Sequence, residues 1–105
     1  MDDSYAEQVL AVVELIPPGR VMSYGDIAEY VGSAGPRQVG QVLANSGGSV
    51  PWWRVIRADG SPPRCHDGEA LALLSAEGTP LRPGSQRVDM RRARWDGVEA
   101  SAATQ

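Results

Sequence analysis

The apolar positions at the start of the chain recur at helical spacing. Between about residues 4 and 16, apolar side chains repeat at the i, i+3 and i+4 intervals of an amphipathic helix, at Val9, Leu10, Val12, Val13 and Ile16. Ser4 followed by Glu7 is a capping-box pattern that predicts where this helix begins. Pro17-Pro18-Gly19 predicts its end.

Two shorter helices are predicted next. Ser23 followed by Asp26 is a second cap pattern, and it predicts a helix that Gly32 ends and that carries Ile27, Tyr30 and Val31. Pro36 at a first helical position predicts a third helix, which ends over residues 45–48 and turns inward Val39, Val42 and Leu43. Two short helices joined by a tight glycine-containing turn form the helix-turn-helix pattern. The helix that begins at Pro36 is the second of this pair, and it would expose Arg37, Gln38 and Gln41. Taken alone, these side chains fit a DNA-reading face or an ordinary solvated face.

The second half of the chain is predicted to be less regular. We predict a strand over residues 53–57, a turn over 58–60, a loop over 61–68 and a helix over 69–77 that Gly78 ends. That helix would bury Leu71, Ala72 and Leu74. A second strand or short arm follows at 87–90. The fold class predicted is mainly α, a winged-helix-like DNA-binding domain with a helix-turn-helix and a few short strands. We expect residues 1–100 to form a single domain and residues 101–105 a disordered tail.

Composition limits what the domain holds. The chain has 105 residues, 42% of them hydrophobic, which is enough for one core. It carries no apolar run near the length of a membrane span and no charged-then-apolar leader, so we expect a cytoplasmic protein. One cysteine, Cys65, and one histidine, His66, are too few for an internal disulfide or a structural zinc site. No metal and no cofactor are predicted.

The charge balance gives a mixed indication about DNA. The net charge of −3 argues weakly against a nucleic-acid partner, because phosphate binding relies on cationic side chains. The stretch before the tail is nevertheless basic, with Arg82, Arg87, Arg91, Arg92 and Arg94. All 10 cationic residues are arginine, which favours planar, bidentate contacts. A genome-wide composition bias would produce the same count.

From residue 5 to about residue 84, the chain carries a set of motifs in a defined order. They are Gly19-Arg20-Val21, Ser23-Tyr24-Gly25, Arg37 with Val39-Gly40, Asn45, Val50-Pro51, Arg54-Val55 and Leu74-Ser75-Ala76-Glu77-Gly78. In these motifs it resembles the DNA-binding domain of the O6-alkylguanine-DNA alkyltransferases. Those enzymes use Pro-Cys-His-Arg where this chain has Pro51-Trp52-Trp53-Arg54. Tryptophan at the cysteine position makes the chain resemble the alkyltransferase-like proteins, which usually keep the histidine that Trp53 replaces.

The two tryptophans bear directly on catalysis. Direct alkyl transfer needs a soft nucleophile, activated by a base that a carboxylate orients. An indole offers only a hydrogen-bond donor. We therefore predict that the chain is not an enzyme and has no catalytic residues. By the resemblance Glu77 is the orienting carboxylate, and with no histidine to hold we expect it to act as a helix-end hydrogen-bond acceptor.

The resemblance also implies roles at the DNA. The target base is extruded from the duplex, with Arg37 filling the gap and Tyr24 pressing on the 3′ phosphate. Gln38 and Gln41 complete the predicted DNA-binding residues, and Asn45 is the expected structural hinge before the pocket. The predicted lesion pocket consists of Trp52, Arg54, Val55 and Arg64. Trp53 is assigned to packing.

The function predicted from this resemblance is a DNA damage sensor. It would bind O6-alkylguanine in duplex DNA through a helix-turn-helix in the minor groove, flip the base and signal to nucleotide excision repair proteins. We expect a monomer without membrane contacts, associated with the nucleoid when bound to DNA. The alternative is a small winged-helix transcriptional regulator that reads undamaged DNA. A residual enzyme with Cys65 as acceptor is the least favoured hypothesis.

Overall fold

The computed structural model describes residues 3–62 and 68–97. Its helices and strands, in chain order, are α1 (Asp3–Leu15), β1 (Met22–Ser23), α2 (Tyr24–Val31), α3 (Pro36–Ser46), β2 (Val55–Ile56), α4 (Glu69–Ala76) and α5 (Met90–Ala93). Two 3-10 turns, Gly47–Ser49 and Trp52–Arg54, lie between α3 and β2. The fold is mainly helical with a few short strands, as the sequence predicted. The predicted tail lies outside the described residues.

The start of α2 is fixed by a reciprocal cap. The Ser23 hydroxyl accepts from the Asp26 amide at 3.0 Å, and the Asp26 carboxylate accepts from the Ser23 amide at 3.0 Å. The helix ends at Gly32, whose φ of 87° is the left-handed conformation that glycine adopts without strain. Both ends of α2 were predicted from these residues, and both predictions are confirmed.

The first three helices pack together, and α2 and α3 form the helix-turn-helix. The α3 helix begins with Pro36, and the Gln38 side chain accepts from the Gly35 amide at 3.1 Å. Fully buried side chains from all three helices and from β2 share one core cluster, among them Val9, Val13, Ile27, Val39 and Val55. The α2–α3 pair therefore rests on a rigid support, which is what a DNA-binding helix pair needs.

A second, smaller core lies under β2 and the last part of the described chain. It contains Val21, Ile56, Leu74, Val88 and Ala93. The chain after α5 runs beside β1, where the Val21 amide donates to the Ala93 carbonyl at 2.9 Å and the Trp95 amide to the Val21 carbonyl at 2.8 Å. Trp95 is buried in the main core. The C-terminal segment thus joins the two cores.

Several element predictions are corrected by the structure. The strand predicted over 53–57 is reduced to Val55–Ile56, which pairs in parallel with β1, because the Arg54 amide donates to the Pro51 carbonyl at 3.0 Å and closes a 3-10 turn instead. The segment 87–90, predicted as a second strand or a short arm, contains a single bridge from Val88 to Leu81, and its last residue, Met90, begins α5.

The packing face of α4 also differs from the prediction. The helix buries Ala70 and Leu74, four residues apart on one face, whereas Leu71 is half-buried and Ala72 is exposed. Among the described residues, no helix has both the length and the apolar character needed to cross a bilayer.

Candidate nucleic-acid interface

The most highly connected side chain near the tryptophan motif is Glu77, immediately after α4. Its carboxylate accepts from Trp53 Nε1 at 3.0 Å and from the Gly19 amide at 3.4 Å. Arg54 donates to it twice, from Nε at 3.0 Å and from Nη2 at 2.5 Å. These four residues are called the Glu77 cluster below. They connect the end of α4, the tryptophan turn and the segment after α1.

The Glu77 carboxylate is held in its ionised form. Burial alone would raise its pKa, but the hydrogen bonds from Arg54 and Trp53, with the positive charge of Arg54, outweigh burial and lower the pKa below the ordinary value. A carboxylate with four donors and a lowered pKa has little tendency to take up a proton. It is a fixed structural acceptor, as the sequence predicted for it at a helix end.

The tryptophan pair has a defined geometry. The Trp52 and Trp53 ring centroids lie 5.7 Å apart with an interplanar angle of 88°, an edge-to-face contact. The Arg54 guanidinium carbon lies 5.4 Å from the Trp53 ring centroid. Trp53 packs against the smaller core, while Trp52 is half-buried in the turn. The assignment of Trp53 to packing holds, but it omitted the hydrogen bond to Glu77.

That hydrogen bond corrects one expectation. The sequence left Glu77 with no histidine to hold, whereas the structure places the indole N–H of Trp53 in contact with it. The signal was present in the sequence, because a buried tryptophan N–H needs an acceptor and Glu77 was already placed near the motif by the resemblance. Joining these two observations would have predicted the contact.

Two predicted pocket residues face inward instead. Val55 is fully buried in the main core, where it belongs to β2. The Arg54 side chain is occupied by Glu77 and by the Ile16 carbonyl, to which Nη1 donates at 2.9 Å. In this structure the Val55 side chain has no exposed surface and the Arg54 side chain is only 12% exposed, and their pocket role stays a prediction. Arg64 and Cys65 lie outside the described residues, as does His66.

The predicted DNA-binding residues lie on the helix-turn-helix. Arg37, Gln38 and Gln41 are exposed on α3, and Tyr24 is the half-buried first residue of α2 that packs against the main core. Their contacts with DNA stay predictions. Gln38 has a local role as well, since it caps its own helix.

A concavity of about 610 Å³ lies between α1 and α3, and Gln38, Gln41 and Asn45 contribute to its lining. Asn45 lies inside the last turns of α3 and is exposed, so the position predicted as a hinge is part of the helix. Its hinge role stays a prediction. Within residues 3–62 and 68–97, no group of three or more histidine, cysteine or acidic residues is placed to hold a metal ion.

Comparison with known proteins identifies the family. Residues 4–79 match the model of the 6-O-methylguanine DNA methyltransferase DNA-binding domain. The chain belongs to this family. It is 37% identical over 103 residues to the DNA base-flipping protein of Escherichia coli K12, covering 90% of this chain and 77% of that protein. It is 45% identical over 64 residues to alkyltransferase-like protein 1 of Schizosaccharomyces pombe, covering 58% of each.

A solved structure agrees with the family assignment. S. pombe Atl1 in complex with damaged DNA containing O6-carboxymethylguanine matches with a TM-score of 0.78 and 30% identity, over 90% of this chain and 97% of that chain. The resemblance to alkyltransferase-like proteins stated from the sequence is therefore confirmed. As a family member the chain has a DNA-binding domain of the DNA-repair class, whose helix-turn-helix is described above.

Proposed function

We propose that this chain is a non-enzymatic sensor of O6-alkylguanine in duplex DNA. It binds the duplex through the helix-turn-helix in the minor groove, flips the alkylated base and holds it without removing the alkyl group. One observation carries the proposal: the positions of the acceptor cysteine and its base are Trp52 and Trp53, and the Trp53 N–H is already bonded to Glu77 at 3.0 Å.

The chemistry of these side chains supports the absence of transfer. An indole carbon framework is not a soft nucleophile, and an indole N–H donates a hydrogen bond but accepts none. Glu77 is ionised and has four donors, so it is poorly suited to abstract a proton. A half-buried Trp52 instead offers a flat apolar surface to an alkylated purine.

The helix-turn-helix supports the binding step. Arg37 is exposed near the start of α3, where a guanidinium can stack and donate to the orphaned partner base. Flipping costs a few kcal/mol and costs least for a base whose pairing is weakened, as O6-alkylation weakens pairing to cytosine. The lesion itself therefore favours extrusion. The similarity to the DNA base-flipping protein of Escherichia coli supports the same step.

A protein that binds an alkylated base without removing the alkyl group needs a partner that completes the repair. A lesion that stays in place must be passed on, and we propose nucleotide excision repair proteins as the receivers. In this proposal the chain acts as a monomer in the cytoplasm, on the nucleoid when bound to DNA.

The test is a titration with two matched duplexes, one with a single O6-methylguanine and one with guanine, followed by the intact mass of the recovered protein. We expect much tighter binding of the lesion duplex and an unchanged mass. Arg37→Ala should lower the preference for the lesion. Arg57→Ala is a matched control, because it removes the same charge from an exposed position outside the helix-turn-helix and should weaken both duplexes alike.

Three results would contradict the proposal. Equal affinity for the two duplexes would remove the sensor function, and sequence-specific binding of undamaged duplex would favour the regulator. A mass gain of one methylene unit would establish alkyl transfer, with Cys65 as the first acceptor to examine.

A further inference from the structure

We infer that Trp53 is a positioning residue whose hydrogen bond to Glu77 and edge-to-face contact with Trp52 hold Trp52 in the orientation that distinguishes an alkylated guanine. The inference rests on the proposed function and deepens it, because it names a specificity determinant of the same site. It concerns the position at which the alkyltransferases have histidine.

The Trp53 ring is held in place by a series of hydrogen bonds that begins at its indole N–H. Its Nε1 donates to Glu77 at 3.0 Å, and Glu77 is held by two bonds from Arg54. Arg54 in turn donates to the carbonyl of Ile16, the residue immediately after α1, at 2.9 Å. The Trp53 ring is hydrogen-bonded at its N–H and has the Arg54 guanidinium over its face, so it has little rotational freedom. The orientation of Trp53 is thus determined by the frame of the fold.

The fixed Trp53 ring then restricts Trp52. The two centroids are 5.7 Å apart at 88°, so one ring edge points at the face of the other. On the backbone side, the Trp52 amide donates to the Val50 carbonyl at 2.7 Å. A Cβ built at Gly47 would lie 3.6 Å from the Cβ of Trp52, so the end of α3 borders the residue closely. Trp52 is confined by its own backbone, by α3 and by Trp53.

Confinement of this kind affects discrimination more than overall DNA affinity. A flat apolar surface contacts an alkylated purine well only when it is already in place, since ordering it on binding would reduce the affinity. Phosphate contacts by exposed arginines act equally on damaged and normal duplexes. Loosening Trp52 should therefore lower the ratio of the two affinities and leave the affinity for normal duplex nearly constant.

The variant that tests this is Trp53→Phe, which keeps an aromatic ring and removes the N–H. Its matched control is Trp95→Phe, the same substitution at a buried tryptophan of the main core that follows α5. We expect Trp53→Phe to reduce the ratio of guanine to O6-methylguanine dissociation constants about fivefold, the effect of having to order one side chain on binding. Trp95→Phe should lower the melting temperature while it retains the ratio.

A spectroscopic readout separates positioning from general stability. In the double variant Trp53→Phe/Trp95→Phe, Trp52 is the last tryptophan, and its near-ultraviolet circular dichroism reports whether the ring is fixed. We expect a weak signal in that variant, and a strong signal in Trp95→Phe, where Trp53 is present. Should the double variant fail to fold by far-ultraviolet circular dichroism, Glu77→Gln/Trp95→Phe keeps both rings and weakens the anchor of Trp53 together with the Arg54 pair, and a signal as strong as that of Trp95→Phe would overturn the inference.

The outcomes distinguish this inference from the proposed function. A lesion preference in the wild-type chain that Trp53→Phe retains in full would overturn the positioning role alone. A strong near-ultraviolet signal from Trp52 in the double variant would overturn it as well. Equal binding of the two duplexes by the wild-type chain would overturn the proposed function, and the dichroism would then still decide whether Trp53 orients Trp52.

Discussion

Two arginine–carboxylate pairs hold distant parts of this chain together, and they differ in their exposure to water. In the Glu77 cluster, the Arg54 and Glu77 side chains are 12% and 16% exposed. In the second pair, Arg94 is 58% exposed and Asp26 is 10% exposed. The Arg94 Nε donates to the Asp26 carboxylate at 2.9 Å, and its Nη2 makes a second bond to the same group. Both pairs are bidentate and both carboxylates are mostly buried, so the exposure of the arginine is their main difference.

The two carboxylates also differ in what else they do. Asp26 caps its own helix through Ser23, so it has a local partner even without Arg94. Glu77 has no such local partner, because all of its side-chain bonds come from segments at least 23 residues away. The first pair reinforces a helix end that is already formed. The second determines where the tryptophan turn lies relative to α4.

This contrast indicates which contact the proposed site depends on. A pair shielded from water leaves uncompensated polar groups when one partner is removed, whereas water replaces the lost partner of an exposed pair. The Glu77 cluster includes Trp53, which borders Trp52. The Asp26 pair borders a concavity of about 680 Å³ between α2 and the C-terminal segment, which is lined in part by Tyr30 and Trp95.

The largest effect is expected from Glu77→Ala. The substitution leaves the Arg54 guanidinium and the Trp53 N–H without their acceptor in a mostly buried place, and we expect it to lower the free energy of unfolding by about 3 kcal/mol. Urea denaturation followed by circular dichroism measures the change. Glu14→Ala, at an exposed position of α1, is the control and should change stability by less than about 0.5 kcal/mol. A similar small loss in both variants would show that the Glu77 cluster has little structural importance.

A smaller effect is expected from Arg94→Ala. Solvent screens the exposed guanidinium, and Asp26 keeps its bonds to Ser23, so the loss should be about 0.5 to 1 kcal/mol. Added salt should reduce the difference between this variant and the wild type, because screening weakens the pair before it is removed. A loss as large as that of Glu77→Ala, or one insensitive to salt, would mean that exposure does not separate the two pairs.

The part of the fold that the sequence predicted is the part with local causes. The cap of α2 involves Ser23 and Asp26, three residues apart, and Gly32 ends the same helix, so both are visible in one short window. The Glu77 cluster joins residues 23 and 58 positions apart. No periodicity records such a contact. The family resemblance placed Glu77 near the motif but could not show that an indole would take the place of the imidazole.

The sequence did not reveal which predicted pocket residues have structural partners at long range. An arginine in a sequence is usually expected at the surface, yet the Arg54 side chain donates hydrogen bonds to Glu77 and to the Ile16 carbonyl. Val55 was assigned to the pocket, and the structure shows that its side chain lies in the core that β2 shares with the first three helices. The tryptophan turn has no alternating pattern to reveal this, because its geometry follows from backbone and side-chain bonds to other segments.

The smallest effect is expected in the acid limb, which is the fall in the free energy of unfolding as the pH is lowered. The pKa values of Glu77 and Asp26 are both lowered in the fold: burial raises each, and hydrogen bonds and arginine charge outweigh it. For each carboxylate the unfolded chain therefore binds more protons than the folded chain in this pH range. The stability that each carboxylate contributes is complete above its ordinary pKa, 4.5 for Glu77 and 3.8 for Asp26. It is lost as the pH falls through the lower pKa that the group has in the fold. Glu77→Gln should therefore flatten the fall in stability below about pH 4.5.

Comparison of the two pairs makes this last experiment more informative. Arg94→Ala should flatten the acid limb less than Glu77→Gln does, because the Ser23 bonds that also lower the pKa of Asp26 stay in place. The measurement is the urea midpoint between pH 3 and pH 6 for the wild type and both variants. If Arg94→Ala flattened the limb more than Glu77→Gln, the exposed pair would be the stronger electrostatic contact, and the ranking argued from burial would be reversed.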